Sequence, residues 1–200
     1  MERQPTLNRR AAVELLVRLR TDEPVITSPG LSGRWLLHAG HRPPVLYQME
    51  LPYATPMCLG VALALPRTKV IALEGDGALI CGLAGLTTVG RYRPANLIIF
   101  VLDNATYNTT GTGEFATATA AGTDLAAVGR ACGILSSRAV WTADELEAAL
   151  RHALSADGPH LVVAKVTTAD RAESGAFGPD PHHLTETAVE FRLALRQLRA

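Results

Sequence analysis

"TKVIALEGDGALICGLAGLTTVGRYRPANLIIFVLDN", residues 68–104, decides the fold. "TKVIALEG" is apolar and β-branched, as a strand should be. "ALICGLAGLTTVGRY" is long enough for a helix and rich in small residues. "ANLIIFVLDN" is apolar on both faces, the pattern of a central parallel strand. A strand, a helical crossover and a second strand of this length predict parallel pairing.

Two polar residues interrupt this unit. Asp76 stands between Gly75 and Gly77, where the strand gives way to the helix, and Asn104 ends the second strand. Alone, Gly75-Asp76-Gly77 reads as a tight turn with a capping acid, and Asn104 as a turn residue. Together they are two oxygen donors at the ends of successive strands, and open parallel sheets bind ligands outside their carboxyl ends. Glycine allows close backbone approach. The helix beginning near Ala78 offers free N–H groups to an anion. A carboxylate beside an anion is reasonable where a divalent cation bridges the two. Mg²⁺ is such a cation, taking one or two protein oxygens plus phosphate oxygens.

Working outward, the alternation continues. "TLNRRAAVELLVRLR" places Ala12, Leu15, Leu16 and Leu19 on one helical face. "PVITS" and "PPVLYQ" read as short strands around the loop and helix of "GLSGRWLLHAG". "LPYATPMCLGVALALP" predicts a buried helix ended by Pro66. "NATYNTTGTGEFATATAAGT" shows no period and reads as a loop of about twenty residues, a length that is usually functional or disordered. "DLAAVGRACG" is a helix and "ILSSRAV" a strand. "TADELEAALRHALSADG" opens with a capping box, Thr142 with Glu145. "HLVVAKV" is a strand, "RAESGAFGPDPHH" a loop, and "LTETAVEFRLALRQLRA" a closing helix. The expected fold is α/β: one doubly wound domain over residues 1–200, about six mostly parallel strands with helices on both faces.

Composition narrows the function. Hydrophobic residues are 48%, enough for a substantial core, and Lys+Arg and Asp+Glu balance at 19 each. That leaves no basic field for nucleic acid. No signal-peptide core or apolar membrane span is evident. Cys58, Cys81 and Cys132 lack metal or disulfide spacing and read as buried free thiols. These features predict a cytoplasmic protein, with the N-x-T matches at Asn104 and Asn108 accidental.

The residues from Gly75 to Asn104 resemble the fingerprint of thiamine diphosphate enzymes, a Gly-Asp-Gly followed after a crossover by an Asn, often doubled. Here Asp103 replaces the first Asn of the doublet. The resemblance implies thiamine diphosphate and Mg²⁺ as cofactors, with Asp76, Asn104 and the carbonyl of Thr106 as metal ligands. Upstream, "MELPYATPMCLGVALALP" is similar to a family segment that precedes a buried helix. It implies Leu51 as the apolar support of the bent cofactor and the carbonyl of Met49 as its aminopyrimidine contact. Met49, Glu50 and Pro52 are larger than the family's residues there. "PVITSPGLSGRW" resembles the first strand and diphosphate loop, which assigns Gly30, Leu31 and Ser32 to the diphosphate, beside Gly75, Gly77 and Ala78. Tyr107, Asn108 and Thr109 follow on the substrate side. The nearest patterns are those of sulfopyruvate decarboxylase β subunits and phosphonopyruvate decarboxylases.

Enzymes of this family also need an aminopyrimidine-binding domain that supplies an activating glutamate. No such domain is evident here, so the resemblance implies a partner subunit and an interfacial site. The expected activity is decarboxylation of a small 2-oxo acid. Alternatives are a subunit of an acetolactate synthase-like carboligase and a cofactor-binding homologue without catalysis. A Rossmann nucleotide module lacks its G-x-G-x-x-G after the first strand. His38 and His41 lie near the diphosphate loop and read as surface or structural, or as a substrate-side acid or base. Glu50 is a loop acid or a functional one. His182, His183, Arg91 and Arg93 read as solvated.

Overall fold

The computed structural model describes residues 3–107, 115–167 and 182–199. Helix α1 (Arg9–Leu19) precedes β1 (Val25–Thr27), α2 (Leu31–Gly40), β2 (Val45–Leu46), α3 (Ala54–Ala64) and β3 (Val70–Gly75). Helices α4 (Asp76–Cys81) and α5 (Leu83–Tyr92) lead to β4 (Leu97–Asp103). A small hairpin, β5 (Thr106–Tyr107) with β6 (Phe115–Ala116), and a 3-10 turn (Ala118–Ala121) follow. Then come α6 (Leu125–Ala131), β7 (Ser136–Val140), α7 (Ala143–Ser155), β8 (His160–Lys165) and α8 (Leu184–Arg199).

Six strands form one sheet in the order β2-β1-β3-β4-β8-β7, and every pair in it is parallel. The α/β doubly wound expectation therefore holds. All seven residues of β4 are buried. Ile98, Phe100 and Leu102 join the cluster under α1, α2 and α7, with Leu16, Leu36 and Leu150. Leu97, Ile99 and Val101 join the opposite cluster, with Leu59, Leu86 and Phe191 of α3, α5 and α8. That period of two sorts one strand between two cores. Each fully buried large aliphatic side chain contributes about 1.5–3 kcal/mol.

The topology sets where a ligand can enter. From β1 the chain goes to β2 on one side, then crosses back to β3 on the other. The loops leaving β1 and β3 diverge, and such a switch point opens a crevice at the carboxyl ends of the strands.

Several local expectations change. The stretch expected as one helix after Asp76 is two, α4 and α5, divided at Gly82. A Cβ on Gly82 would lie 2.6 Å from the Pro52 side chain and 3.0 Å from its carbonyl oxygen, so the break comes where the chain passes close to a distant loop. The twenty-residue loop contains the β5–β6 hairpin and the 3-10 turn; residues 108–114 lie outside the described residues. Thr142 Oγ1 accepts from Glu145 N at 3.3 Å, and the Glu145 carboxylate accepts from Trp141 N at 2.9 Å. All three cysteines are free, but Cys58 alone is buried; Cys81 is exposed and Cys132 half-buried. Most of "RAESGAFGPDPHH" lies outside the described residues.

Candidate functional site

The ends of β1 and β3 are tied together. Ser28 N donates to Leu73 O at 3.0 Å, and Gly75 N donates to Ser28 Oγ at 3.3 Å. Beyond β1 the chain turns at Gly30, whose φ of +111° lies in the region that favours glycine. Gly30 N donates to Gln48 Oε1 at 3.2 Å. Helix α2 then starts without a side-chain cap, so its first-turn N–H groups face the loop. Gly33 allows the helix to sit on β1, because a Cβ there would lie 2.7 Å from Thr27 Oγ1. Of the two helices that start at this end of the sheet, α2 has ten residues and α4 has six, too few to sum much of a dipole.

Asp76 opens α4 and is 1% exposed. Thr117 Oγ1 donates to its Oδ2 at 2.5 Å, and Thr119 Oγ1 lies 3.1 Å from the same oxygen. Burial raises its pKa from 3.8 to about 6, against the lowering effect of Thr117, and the nearby Asp103 pushes the same way as burial. At the end of β4, Ala105 takes a left-handed φ of +61°. Asn104 Nδ2 donates to Thr106 Oγ1 at 3.1 Å, and Thr106 N donates to Asn104 Oδ1 at 3.3 Å. This turn brings Asn104 and Thr106 to the side where Asp76 lies.

Every cofactor-site residue expected from the sequence, except Met49, lines one cavity of about 60 Å³ at this end of the sheet. Met49 is turned toward β1, its N–H donating to Thr27 O at 2.8 Å, and its side chain packs against the α3 core. A Cβ on Gly77 would lie 2.3 Å from the Tyr107 ring, so glycine is what lets that ring close the cavity wall. Asn104 also borders a larger cavity of about 670 Å³, with Asp103, Trp141 and Lys165. The larger cavity holds neither the Gly30–Ser32 loop nor Asp76.

Sequence reasoning missed four contributors. Thr117 and Thr119 hold Asp76 from beyond the hairpin. Lys165, at the end of β8, pairs with the buried Asp103 at 2.5 Å. Arg9, at the start of α1, is 5% exposed and lines the smaller cavity.

Other candidates lie elsewhere. His41 follows the far end of α2, with Nδ1 2.9 Å from the Tyr47 hydroxyl and Nε2 3.2 Å from Glu190. His38 sits in the last turn of α2, roughly 10 Å along the helix from Leu31. The His182 ring lies tilted against that of His41, with centroids 4.3 Å apart, and His183 Nδ1 accepts from Thr185 N at the start of α8. Arg91 and Arg93 are exposed at the other end of the sheet. Glu50 is exposed, and its carbonyl accepts from Tyr53 N. Asn108 and Thr109 lie outside the described residues.

The donors around the smaller cavity suit a hard cation. Asp76 offers a carboxylate, Asn104 an amide oxygen and Thr106 a backbone carbonyl, and Mg²⁺ takes oxygen ligands of this kind. Asp76 and Asp103 are buried within reach of one hydroxyl, Thr119 Oγ1, at 3.1 and 2.8 Å. Two buried acids so close make a cation there favourable.

Fold and cavity together define a class: a doubly wound α/β domain with an oxygen-lined cradle at its topological switch point. The chain belongs to the thiamine pyrophosphate enzymes, matching their C-terminal TPP-binding domain over residues 41–164. It is 40% identical over 154 residues to a phosphonopyruvate decarboxylase of Streptomyces viridochromogenes, an alignment covering 76% of this chain and 38% of that protein. It is 31% identical over 160 residues to the sulfopyruvate decarboxylase subunit beta of Methanococcus maripaludis, covering 80% of this chain and 84% of that subunit. The fold matches a thiamine diphosphate-dependent 4-hydroxybenzoylformate decarboxylase of Rhodococcus jostii RHA1 with a TM-score of 0.68 at 22% identity, over 84% of this chain and 34% of that one. This chain thus spans well under half of the phosphonopyruvate decarboxylase and most of the β subunit. Among the described residues no helix is long and apolar enough to cross a membrane.

Proposed function

We propose that this chain is the diphosphate-binding subunit of a two-component, thiamine diphosphate-dependent 2-oxo acid decarboxylase. The observation that carries the reading is the cavity at the switch point, where the Gly30–Ser32 loop, Asp76, Asn104 and Thr106 converge. Asp76, Asn104 and the Thr106 carbonyl would hold Mg²⁺. The uncapped start of α2 would meet the diphosphate, and Leu51, on the same cavity wall, would support the cofactor's bend. When bound, thiamine diphosphate supplies the nucleophilic carbon and the electron sink for loss of CO₂. The chain's own residues bind and orient it.

The whole of residues 1–200 is read as this one domain. The activating glutamate belongs to an aminopyrimidine-binding partner, as the name of the methanogen β subunit suggests. Helix α3 supports a partner on that side. It carries no charged residue, and Met57 and Leu63 on it and Tyr53 just before it are 38%, 46% and 52% exposed. The substrate class is a small 2-oxo acid bearing a second anionic group, such as the phosphonate or sulfonate in the relatives' names. Free thiols suit a reducing, cytoplasmic setting.

The test is reconstitution. The chain alone should not decarboxylate sulfopyruvate or phosphonopyruvate; with an aminopyrimidine-binding partner subunit, thiamine diphosphate and Mg²⁺, it should release CO₂ and the aldehyde. Turnover by the chain alone would refute the split site, and formation of a carboligated product with an added aldehyde would make it a carboligase subunit. Asp76→Ala should abolish Mg²⁺-dependent cofactor binding by calorimetry.

A further inference from the structure

We propose that Thr117 is a positioning residue that makes Asp76 a single-oxygen ligand, and so sets the preference of the site for Mg²⁺ over a larger cation such as Ca²⁺. The proposal rests on the cofactor reading above and goes beyond it by naming what selects the metal.

Thr117 follows β6 and is the N-cap residue of the 3-10 turn, with extended backbone at φ −83° and ψ 171°. A threonine in that place ordinarily turns its hydroxyl to the N–H groups of the next turn. Here the side chain makes no cap bond. Its hydroxyl donates instead to Asp76 Oδ2 at 2.5 Å, across 41 positions of sequence. Thr117 is 3% exposed and Asp76 1%, so bulk water does not compete for this bond. The backbone of the segment is tied down independently, Thr117 N donating to Ala105 O at 3.0 Å. The hydroxyl is therefore not needed to close the hairpin. What it serves is the direction of the Asp76 carboxylate.

Proton count sharpens the assignment. Thr119 Oγ1 is 2.8 Å from Asp103 Oδ1 and 3.1 Å from Asp76 Oδ2. With one proton to give, it serves Asp103 at the shorter distance. Thr117 is then the hydroxyl that donates to Asp76, and the two threonine oxygens together crowd Oδ2.

A carboxylate can meet a cation with one oxygen or with both. Ca²⁺ accepts either mode, in flexible geometry at about 2.3–2.6 Å, whereas Mg²⁺ demands a near-ideal octahedron at about 2.0–2.1 Å. Donors fixed on Oδ2 make Oδ1 the oxygen that a cation meets, and they stop the group from turning to present both. The direction is set by groups that are not themselves ligands, which is how outer contacts tune a metal site. Without the Thr117 hydroxyl the carboxylate can swing or bind through both oxygens. That change costs the strict ion more than the tolerant one.

The test measures, by calorimetry, thiamine diphosphate binding to the full chain with its partner subunit, in Mg²⁺ and separately in Ca²⁺. Thr117→Val keeps the shape and removes the donor. It should weaken Mg²⁺-supported binding roughly tenfold, the scale of one hydrogen bond to a charged group, and Ca²⁺-supported binding by a clearly smaller factor. If the wild type binds with Mg²⁺ alone, Thr117→Val should begin to bind with Ca²⁺, and its failure to do so would count against the proposal. Thr117→Ser restores the hydroxyl and should match the wild type in both ions. No loss in Mg²⁺, a loss in Ca²⁺ at least as large, or a Thr117→Ser loss equal to that of Thr117→Val would overturn the proposal, because a merely structural role weakens both ions alike. If Thr117→Val lacks a cooperative thermal transition, Thr117→Ala is compared with Thr117→Ser in the same two ions. Failure of the wild type to bind thiamine diphosphate in either ion would instead overturn the cofactor reading itself.

Discussion

Glu74 offers a sharp test of how burial acts beside the site. It is fully buried at the carboxyl end of β3. Its Oε1 accepts from the backbone N and the hydroxyl of Thr55 at 2.7 and 2.6 Å. The N-cap residue of α3, Tyr53, provides no side-chain cap, so a carboxyl from the neighbouring strand satisfies the first turn instead. Glu74 Oε2 has no hydrogen-bond partner among the described residues. Burial outweighs the two Thr55 bonds and raises the pKa from 4.5 to about 7. The folded chain therefore keeps a proton that the unfolded chain loses between those values. The stability this group contributes is complete below about pH 4.5 and is lost as pH rises to about 7. At 1.36 kcal/mol per unit the change is about 3 kcal/mol, or roughly 6–12 °C in Tm for a chain of this size. Glu74→Gln keeps an acceptor for Thr55 but cannot ionise. Its extra amide donor adds a cost that does not vary with pH. In circular-dichroism melts without Mg²⁺ or cofactor, the Tm of Glu74→Gln minus that of the wild type should rise by several degrees from pH 5 to pH 8. A constant difference across that range would refute the reasoning.

Two further changes probe the cradle. Gly77→Ala would put a Cβ 2.3 Å from the Tyr107 ring, a clash on the order of 1–3 kcal/mol. Thiamine diphosphate affinity should fall by about tenfold, and Tyr107→Ala in the same chain should restore part of it; no change in calorimetric affinity would discount the contact. Lys165→Met would leave Asp103 buried without its ammonium, a loss of about 3–5 kcal/mol in urea unfolding. Adding Asp103→Asn should recover most of that loss, and no recovery would mean that the ion pair is not the cause.

What was legible in the sequence was what local periodicity carries. Seven buried residues of β4 alternate between two cores, and a window of that length shows it. Asp76 and Asn104 stood out because each interrupts an apolar run at a strand end. Thr117, Lys165 and Arg9 do not stand out in this way. A lysine ending a strand, an arginine opening a helix and threonines in a stretch without period are ordinary in their own windows, and only the fold brings them to this end of the sheet. Gly82 divides a helix because Pro52, thirty residues earlier, packs against it. Met49 was placed by its offset along a motif, whereas the side its N–H faces is decided by Thr27 of the adjacent strand.

The departure at residue 103 shows how a local irregularity is answered at long range. An Asn there would be neutral; Asp103 puts a second carboxylate beside Asp76. Its charge is met from across the sheet, because the parallel register sets Asp103 opposite Lys165, and its other oxygen accepts from Ala105 N at 3.1 Å. Thr119 Oγ1 lies within 3.1 Å of Asp76, 2.8 Å of Asp103 and 2.8 Å of Thr117 Oγ1. A hydroxyl has one proton, so it can donate to only one of the two acids at a time. The two carboxylates, Thr117, Thr119 and Lys165 thus form one hydrogen-bonded network. A change at any one of them should be felt at Asp76, although Lys165 and Asp76 are far apart in the sequence and lie on different strand ends.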